Sequence, residues 1–310
     1  MQIDNKKVDL FYDLVDKACM TYYNDVKRDY LEAFISFTDA LINGLDEPKL
    51  STKAINKLEK IIEQISSQDF LNEEVRLAVE LVLIKGYKHR NLLLDFLTPD
   101  GISYIFSFIV NSIINNDPKY SELDDEDDLD SVVVMDTVMG AGNMLNTIIN
   151  NGAKNISGIG IERDILLANL AKSLAEIIDN DVIINVQDAK VKFNALADII
   201  VGDFGETEDV YDIILARLDN ILNNGYFAYM VNNDFFTKAT NEFKQTLMKE
   251  ATLMGLIVLP SNFVKQGHVG KSIIVGKKEI LKDYQMSVIS IDENLSDMNL
   301  VAKKINKMFE

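Results

Sequence analysis

The sequence predicts a doubly wound, mostly parallel α/β sheet preceded by an all-helical domain. Three observations point there. Before residue 93 the apolar side chains recur only at helical spacing. From Ser131 onward, short and fully apolar runs alternate with helical stretches, the pattern of a parallel sheet covered on both faces. The chain of 310 residues is also long enough for two cores, at about 150 residues per domain. The reading is a helical N-terminal domain over 1–92 and an α/β domain over 93–310.

Each element follows from local pattern. Val8, Phe11, Val15, Ala18 and Tyr22 share one helical face, as do Leu31, Phe34, Ile35, Thr38, Leu41, Ile42 and Leu45. Gly44 and Pro48 end the second run. Ser51 is placed to cap a third helix and Asn72 a fourth. Thr98 reads as the N-cap of a helix through Ile102, Ile105, Phe106, Ile109 and Ile113, with Pro99 at its first position. The acidic run Glu122–Asp130 reads as a solvated loop. Strands are expected in SVVVMDT, ISGIGIE, DVIINVQD, ADIIVGDF and GYFAYMVNND. In the tail, GLIVLPS, KSIIVGKK and QMSVISID have short connections, which implies an antiparallel edge.

Composition narrows the function. Apolar residues at 47% and charged residues at 26% exclude a wholly disordered chain. Lys and Arg total 31 against 49 Asp and Glu, a net charge of −18, which excludes a uniformly basic nucleic-acid binder. The single Cys19 fits a reducing cytoplasm, and the N-terminal stretch lacks the apolar core of a signal peptide. No run approaches ~18 uncharged apolar residues, so no membrane span is expected.

In an open parallel sheet, ligands bind beyond the carboxyl ends of the strands. Four acids fall there: Asp136, Glu162, Asp188 and Asp203. Gly140 and Gly142 follow the first and permit a tight turn with close backbone approach. Leu145 stands where a dinucleotide fingerprint needs its third glycine, which lowers a nicotinamide reading. A carboxylate suits a ribose diol or an exocyclic amine. A lone strand-end acid is also a common helix cap, but four in succession are harder to explain that way.

The order TPDG, DTVMGAGN, GIERD, QDA and then a strand ending in an Asp-containing turn resembles the class I S-adenosylmethionine-dependent methyltransferases. More narrowly, it resembles the N6-adenine DNA methylases, in their small stand-alone Gram-positive branch related to type I restriction modification subunits. The resemblance spans roughly residues 95–280, including PSNFVKQGHVGKSIIVGKK, and implies a Rossmann-like methyltransferase sheet with S-adenosylmethionine as cofactor. It implies Thr98 and Pro99 at the methionine end of the cofactor, and Asp136, Gly140, Gly142 and Asn143 under its amino-acid part. Glu162 would hold the ribose, with Arg163 beside the adenine. Asp188 would accept the adenine amine, with Ala189 packed next to it. The catalytic turn would be Asp203-Phe204-Gly205, where active members carry Asn or Asp, two prolines and an aromatic residue. Both prolines are missing, and Glu206 stands in the aromatic slot. The Gly205 carbonyl remains as an acceptor for a target amine, and Phe204 or Tyr211 as a stacking ring.

Other signals are weaker. GHVGKS lacks the first glycine of a P-loop, Lys265 standing there, and leads into a strand. His89 and His268 read as surface or cap residues. Tyr22, Tyr23, Lys27, Arg28 and Tyr30 read as helix packing rather than a nucleic-acid face, since Asp25 and Asp29 dilute them. Lys271, Lys277, Lys278 and Lys282 form the best basic patch, although lysines that guard an edge strand explain them equally well. The expected function is an adenine-specific N-methyltransferase acting on DNA, with a protein partner for the helical domain. Its alternatives are a catalytically degenerate fold serving as a binding or regulatory protein, or a methyltransferase for a non-DNA substrate.

Overall fold

The computed structural model describes residues 3–92, 94, 97–123, 131–205, 207–261, 269–291 and 298–309. Four helices open the chain: α1 (Asn5–Val26), α2 (Tyr30–Asn43), α3 (Thr52–Ser66) and α4 (Asn72–His89). Side chains of Asp4, Asp29 and Ser51 accept first-turn N–H groups of α1, α2 and α3, satisfying donors a helix start leaves open. The fourth cap lies one residue earlier than expected. Leu71 is the N-cap of α4, and the Glu74 carboxylate takes its N–H at 3.0 Å. Asn72 is instead the first helical residue, and its amide donates to the Ile178 carbonyl at 2.8 Å. Tyr22 and Tyr30 are buried and Arg28 pairs with Glu47, in keeping with helix packing.

After α5 (Asp100–Asn116) and α6 (Pro118–Ser121) the chain alternates. The order is β1 (Val132–Asp136), α7 (Asn143–Asn150), β2 (Ile156–Glu162), α8 (Ile165–Ile177), β3 (Val182–Val186), β4 (Ala197–Asp203), α9 (Val210–Leu218) and β5 (Ile221–Asn232). Then come α10 (Phe235–Lys238), α11 (Asn241–Glu250), β6 (Thr252–Val258), β7 (Lys271–Lys277), β8 (Ser287–Ser290) and α12 (Met298–Asn306). The sheet order is β3-β2-β1-β4-β5-β7-β6-β8. Strands β1 to β5 pair in parallel. The antiparallel pairing expected at this end of the sheet is made by β7, which lies between β5 and β6 and opposes both. The outermost β8 runs parallel to β6.

Apolar burial explains the layers. The stripe Ile102, Ile105, Phe106, Ile109 and Ile113 of α5 packs with Val134, Ile199 and Val201 on one sheet face. Ile213 and Ile214 of α9 and Phe243 and Leu247 of α11 cover Ile200, Phe227 and Tyr229 on the other. Helices α1 to α4 share a third core with Leu167, Leu170 and Leu174 of α8. Each such side chain contributes about 1.5–3 kcal/mol on burial. Strand order reverses between β1 and β4, so the crevice for a ligand opens at their carboxyl ends. Among the described residues no helix is long and apolar enough to cross a membrane.

Candidate functional site

The carboxyl ends of β1, β2 and β4 surround a cavity of about 340 Å³. Its lining includes Thr98, Gly140, Glu162, Arg163, Asp188, Ala189, Asp203, Phe204 and Gly205. Nine residues chosen from the sequence therefore meet at one place. Four others do not reach the lining: Pro99, Asp136, Gly142 and Asn143.

Those four have structural work instead. Pro99, not Thr98, is the N-cap of α5, and its carbonyl takes the N–H groups of Ile102 and Ser103. Thr98 is thereby released, and its hydroxyl donates to Asp203 Oδ2 at 2.9 Å. Gly142 adopts φ +83° at the start of α7, where an added Cβ would lie 3.1 Å from the Ala171 side chain. Asn143 faces the helical part of the chain. Its Oδ1 accepts from Arg76 Nη1, and its Nδ2 donates to the Thr98 carbonyl at 3.1 Å.

Asp188 lies two residues past the end of β3 rather than on it, and each of the four acids accepts the backbone N–H two residues on. Asp136 takes Val138 at 3.1 Å, Glu162 takes Asp164 at 2.8 Å, Asp188 takes Lys190 at 2.8 Å and Asp203 takes Gly205 at 3.1 Å. None of the four is the helix cap weighed against a ligand role: α7, α8 and α9 are capped by Gly142, Asp164 and Asp209, and each acid closes a turn instead. Glu162 does more: its Oε2 also takes the Gly140 N–H at 2.9 Å, tying the glycine loop to β2. Burial pushes the Asp136 carboxyl up to about 8, with the charges of Asp203 and Glu162 acting the same way. Burial also raises Asp203. The Gly205 N–H, the Thr98 hydroxyl and the Lys271 charge oppose that rise.

The acceptor side departs from expectation. Phe204 is buried and its ring packs on Tyr229 at 5.3 Å. Tyr211 stacks on Phe235 at 4.8 Å and donates its hydroxyl to the Phe235 carbonyl at 2.7 Å. Both proposed stacking rings are therefore engaged with neighbours. Glu206, residues 124–130 of the acidic run and residues 262–268 with His268 lie outside the described residues. The basic patch does not form as an edge device. Lys271 is 7% exposed in an interior strand and donates to the Gly205 carbonyl at 2.5 Å and to Asn232 Oδ1 at 2.6 Å. Lys277 pairs with Asp117, and Lys278 donates to the carbonyls of Leu218 and Ile221.

Sequence reasoning missed three groups. Lys271 is one. Gln187 is another: it lines the cavity, and its buried Nε2 has no partner, a donor available to a bound acceptor. The third is Arg76, fully buried on α4, which meets Glu73 at 2.8 Å, Glu80 at 3.3 Å and Asp100 at 2.8 Å besides Asn143. Those acids hold its guanidinium above its ordinary value, while burial and Asp100 push Glu80 up to about 8. A hydrogen-bonded path thus runs from α4 through Arg76, Asn143 and Thr98 to Asp203.

The sheet order, with a reversed strand between β5 and β6, defines a Rossmann-like methyltransferase fold. Residues 9–87 match the family model of the YtxK N-terminal helical domain. The uncharacterized protein YtxK of Bacillus subtilis (strain 168) is 23% identical over 287 residues, covering 84% of this chain and 83% of its own. Among solved structures, a Listeria monocytogenes protein assigned to the class I S-adenosylmethionine-dependent methyltransferases superposes with a TM-score of 0.79 at 21% identity, covering 99% of this chain and 100% of its own. The type I restriction-modification methyltransferase subunit of Streptococcus thermophilus gives 0.62 at 15% identity, covering 96% of this chain and 74% of its own. At these identities the likeness is one of fold.

Proposed function

We propose that the cavity binds S-adenosylmethionine and that the chain is a methyltransferase whose turn at Asp203 faces the substrate. One observation carries this reading: Gly140, Glu162, Asp188 and Ala189 line a single cavity at the switch point of the sheet. The donor set fits the cofactor. Carboxylates suit a ribose diol and an adenine amine, and the unpartnered Gln187 amide suits a ring nitrogen. Arg163 is the one basic side chain among the described residues of the lining, which suits a ligand without phosphate. When bound, the cofactor supplies an electrophilic methyl group. Glu162 would bind and orient the sugar, Asp188 and Ala189 would hold the base, and Asp203 would accept a hydrogen bond from the nucleophile. The helical domain of residues 1–92 would set Thr98 through Arg76 and Asn143.

For the substrate, the motif order that resembles the N6-adenine DNA methylases supports adenine N6 in DNA. A specific observation favours a second reading, in which the fold keeps its cofactor but does not take adenine: the Gly205 carbonyl is already engaged by Lys271. The net charge of −18 points the same way, because phosphate contacts supply most non-specific affinity for DNA. Tritiated methyl transfer to unmethylated DNA, with Asp203→Ala as control, separates the two. The second reading expects no label above the control. Incorporation that disappears in Asp203→Ala establishes the first. Calorimetry with S-adenosylmethionine tests the cofactor claim on its own, and no detectable heat rejects it.

A further inference from the structure

We infer that Lys271 is the specificity-determining residue of the acceptor turn: its ammonium occupies the Gly205 carbonyl that an incoming aromatic amine would need, and so closes the turn to adenine. This rests on the reading of Asp203-Phe204-Gly205 as the turn that faces substrate.

The geometry is specific. Lys271 opens β7, directly across from Asn232 at the end of β5. Its stem crosses the sheet end, and Nζ bridges the Gly205 carbonyl at 2.5 Å and Asn232 Oδ1 at 2.6 Å. Two carbonyl-type oxygens that accept N–H groups already hold an amine that belongs to the chain itself. The contact also braces the turn. Gly205 adopts φ +56°, with no described atom within 4 Å of an added Cβ. Its N–H is tied to Asp203 and its carbonyl to Lys271, which supplies by hydrogen bonding the rigidity that prolines would give covalently. Asp203 holds Gly205 with one oxygen and Thr98 with the other, and its remaining lone pairs are the acceptor left at the turn. An exocyclic amine could still reach the remaining lone pairs of Asp203, but its other N–H would have to displace or share the charge-assisted Lys271 bond at the Gly205 carbonyl, and a site that leaves buried polar groups poorly paired rejects its ligand strongly. A cavity of about 320 Å³ adjoins the far side of the turn, sharing Phe204, Gly205 and Thr207 with the first. Room for a substrate therefore exists, and the acceptor chemistry decides which one enters.

The test uses adenosine as the probe, titrated calorimetrically into the full chain with and without saturating S-adenosylhomocysteine. Wild type, Lys271→Ala, Lys271→Met and Lys271→Arg are compared. S-adenosylhomocysteine affinity, measured first, reports whether the donor side is folded in each. The expected result is adenosine affinity at least about tenfold higher in Lys271→Ala and Lys271→Met than in wild type, with Lys271→Arg still closed because it keeps the donors. Equal adenosine affinity in wild type and Lys271→Ala overturns the inference, as does absence of binding in all four chains. Loss of S-adenosylhomocysteine binding in both Lys271→Ala and Lys271→Met also overturns it, since the lysine would then be scaffolding for the donor side. If wild type itself fails to bind S-adenosylhomocysteine, the cofactor reading falls, and the titrations without it still judge Lys271.

Discussion

The two halves of the sheet rim are built on different plans. On the β1 to β3 side, carboxylates take backbone N–H groups yet still line open space, and Gln187 keeps an unpartnered donor. On the β4, β5 and β7 side, the acceptor turn is tied to the chain's own groups: Asp203 to Thr98 and Gly205, the Gly205 carbonyl to Lys271, and Tyr211 to Phe235. On the proposed reading, the difference teaches that a fold can keep its cofactor half open while its substrate half is tied up by its own side chains. The first half depends on strand ends alone, whereas the second depends on strands brought together from residues 203 to 271.

Three substitutions sharpen or break this contrast. The largest effect is expected at Glu162→Ala, which removes the proposed ribose acceptor and the anchor of the Gly140 N–H together. S-adenosylmethionine affinity should fall about thirtyfold or more in calorimetry, because hydrogen bonds to charged groups are worth about 1.5–3 kcal/mol. Unchanged affinity would place the sugar elsewhere. Next comes Thr98→Val on the closed side. It strips one donor from a largely buried carboxylate, at a cost of about 1–3 kcal/mol in chemical denaturation. A neutral result would show that water substitutes freely and that this half is less closed than its geometry indicates.

The third substitution is read through pH. Asp136 holds its proton up to about 8 in the folded chain, against an ordinary value of 3.8. Between those values the folded state binds the extra proton, so this residue's contribution to stability falls as pH rises. Asp136→Asn cannot titrate, and its stability relative to wild type should grow steadily from about pH 5 to about pH 8. Denaturation midpoints across that range check it; a constant difference would mean that Asp136 is ionised throughout.

Much of the fold was legible because it is written in local pattern. The α1 and α2 stripes, the apolar strands and the acids ending β1, β2 and β4 are all spacing signals, and spacing survives in a single sequence. The caps of α4 and α5 were each misplaced by one residue, since Leu71 and Pro99 cap without a side-chain hydrogen bond and leave no residue-type signal. Lys271 was misread because its meaning depends on strand order. A lysine opening a terminal strand looks like an edge guard until the strand proves to be interior. Arg76 sits in NEEVRLAVE as one charged helical residue among several. Only the tertiary fold brings Asp100 and Asn143 to it, so nothing in the nearby sequence could announce a buried cation.

That guanidinium bears on how such a chain can be rearranged. Arg76 answers Glu73 and Glu80 from its own helix, but also Asp100 and Asn143 from the sheet portion, with the guanidinium itself fully buried. Grafting a foreign helical bundle onto this sheet would strand those groups without a counter-charge, even if every apolar contact were matched. The two portions are in that sense keyed to each other, and a viable shuffle would have to carry the lock along with the key.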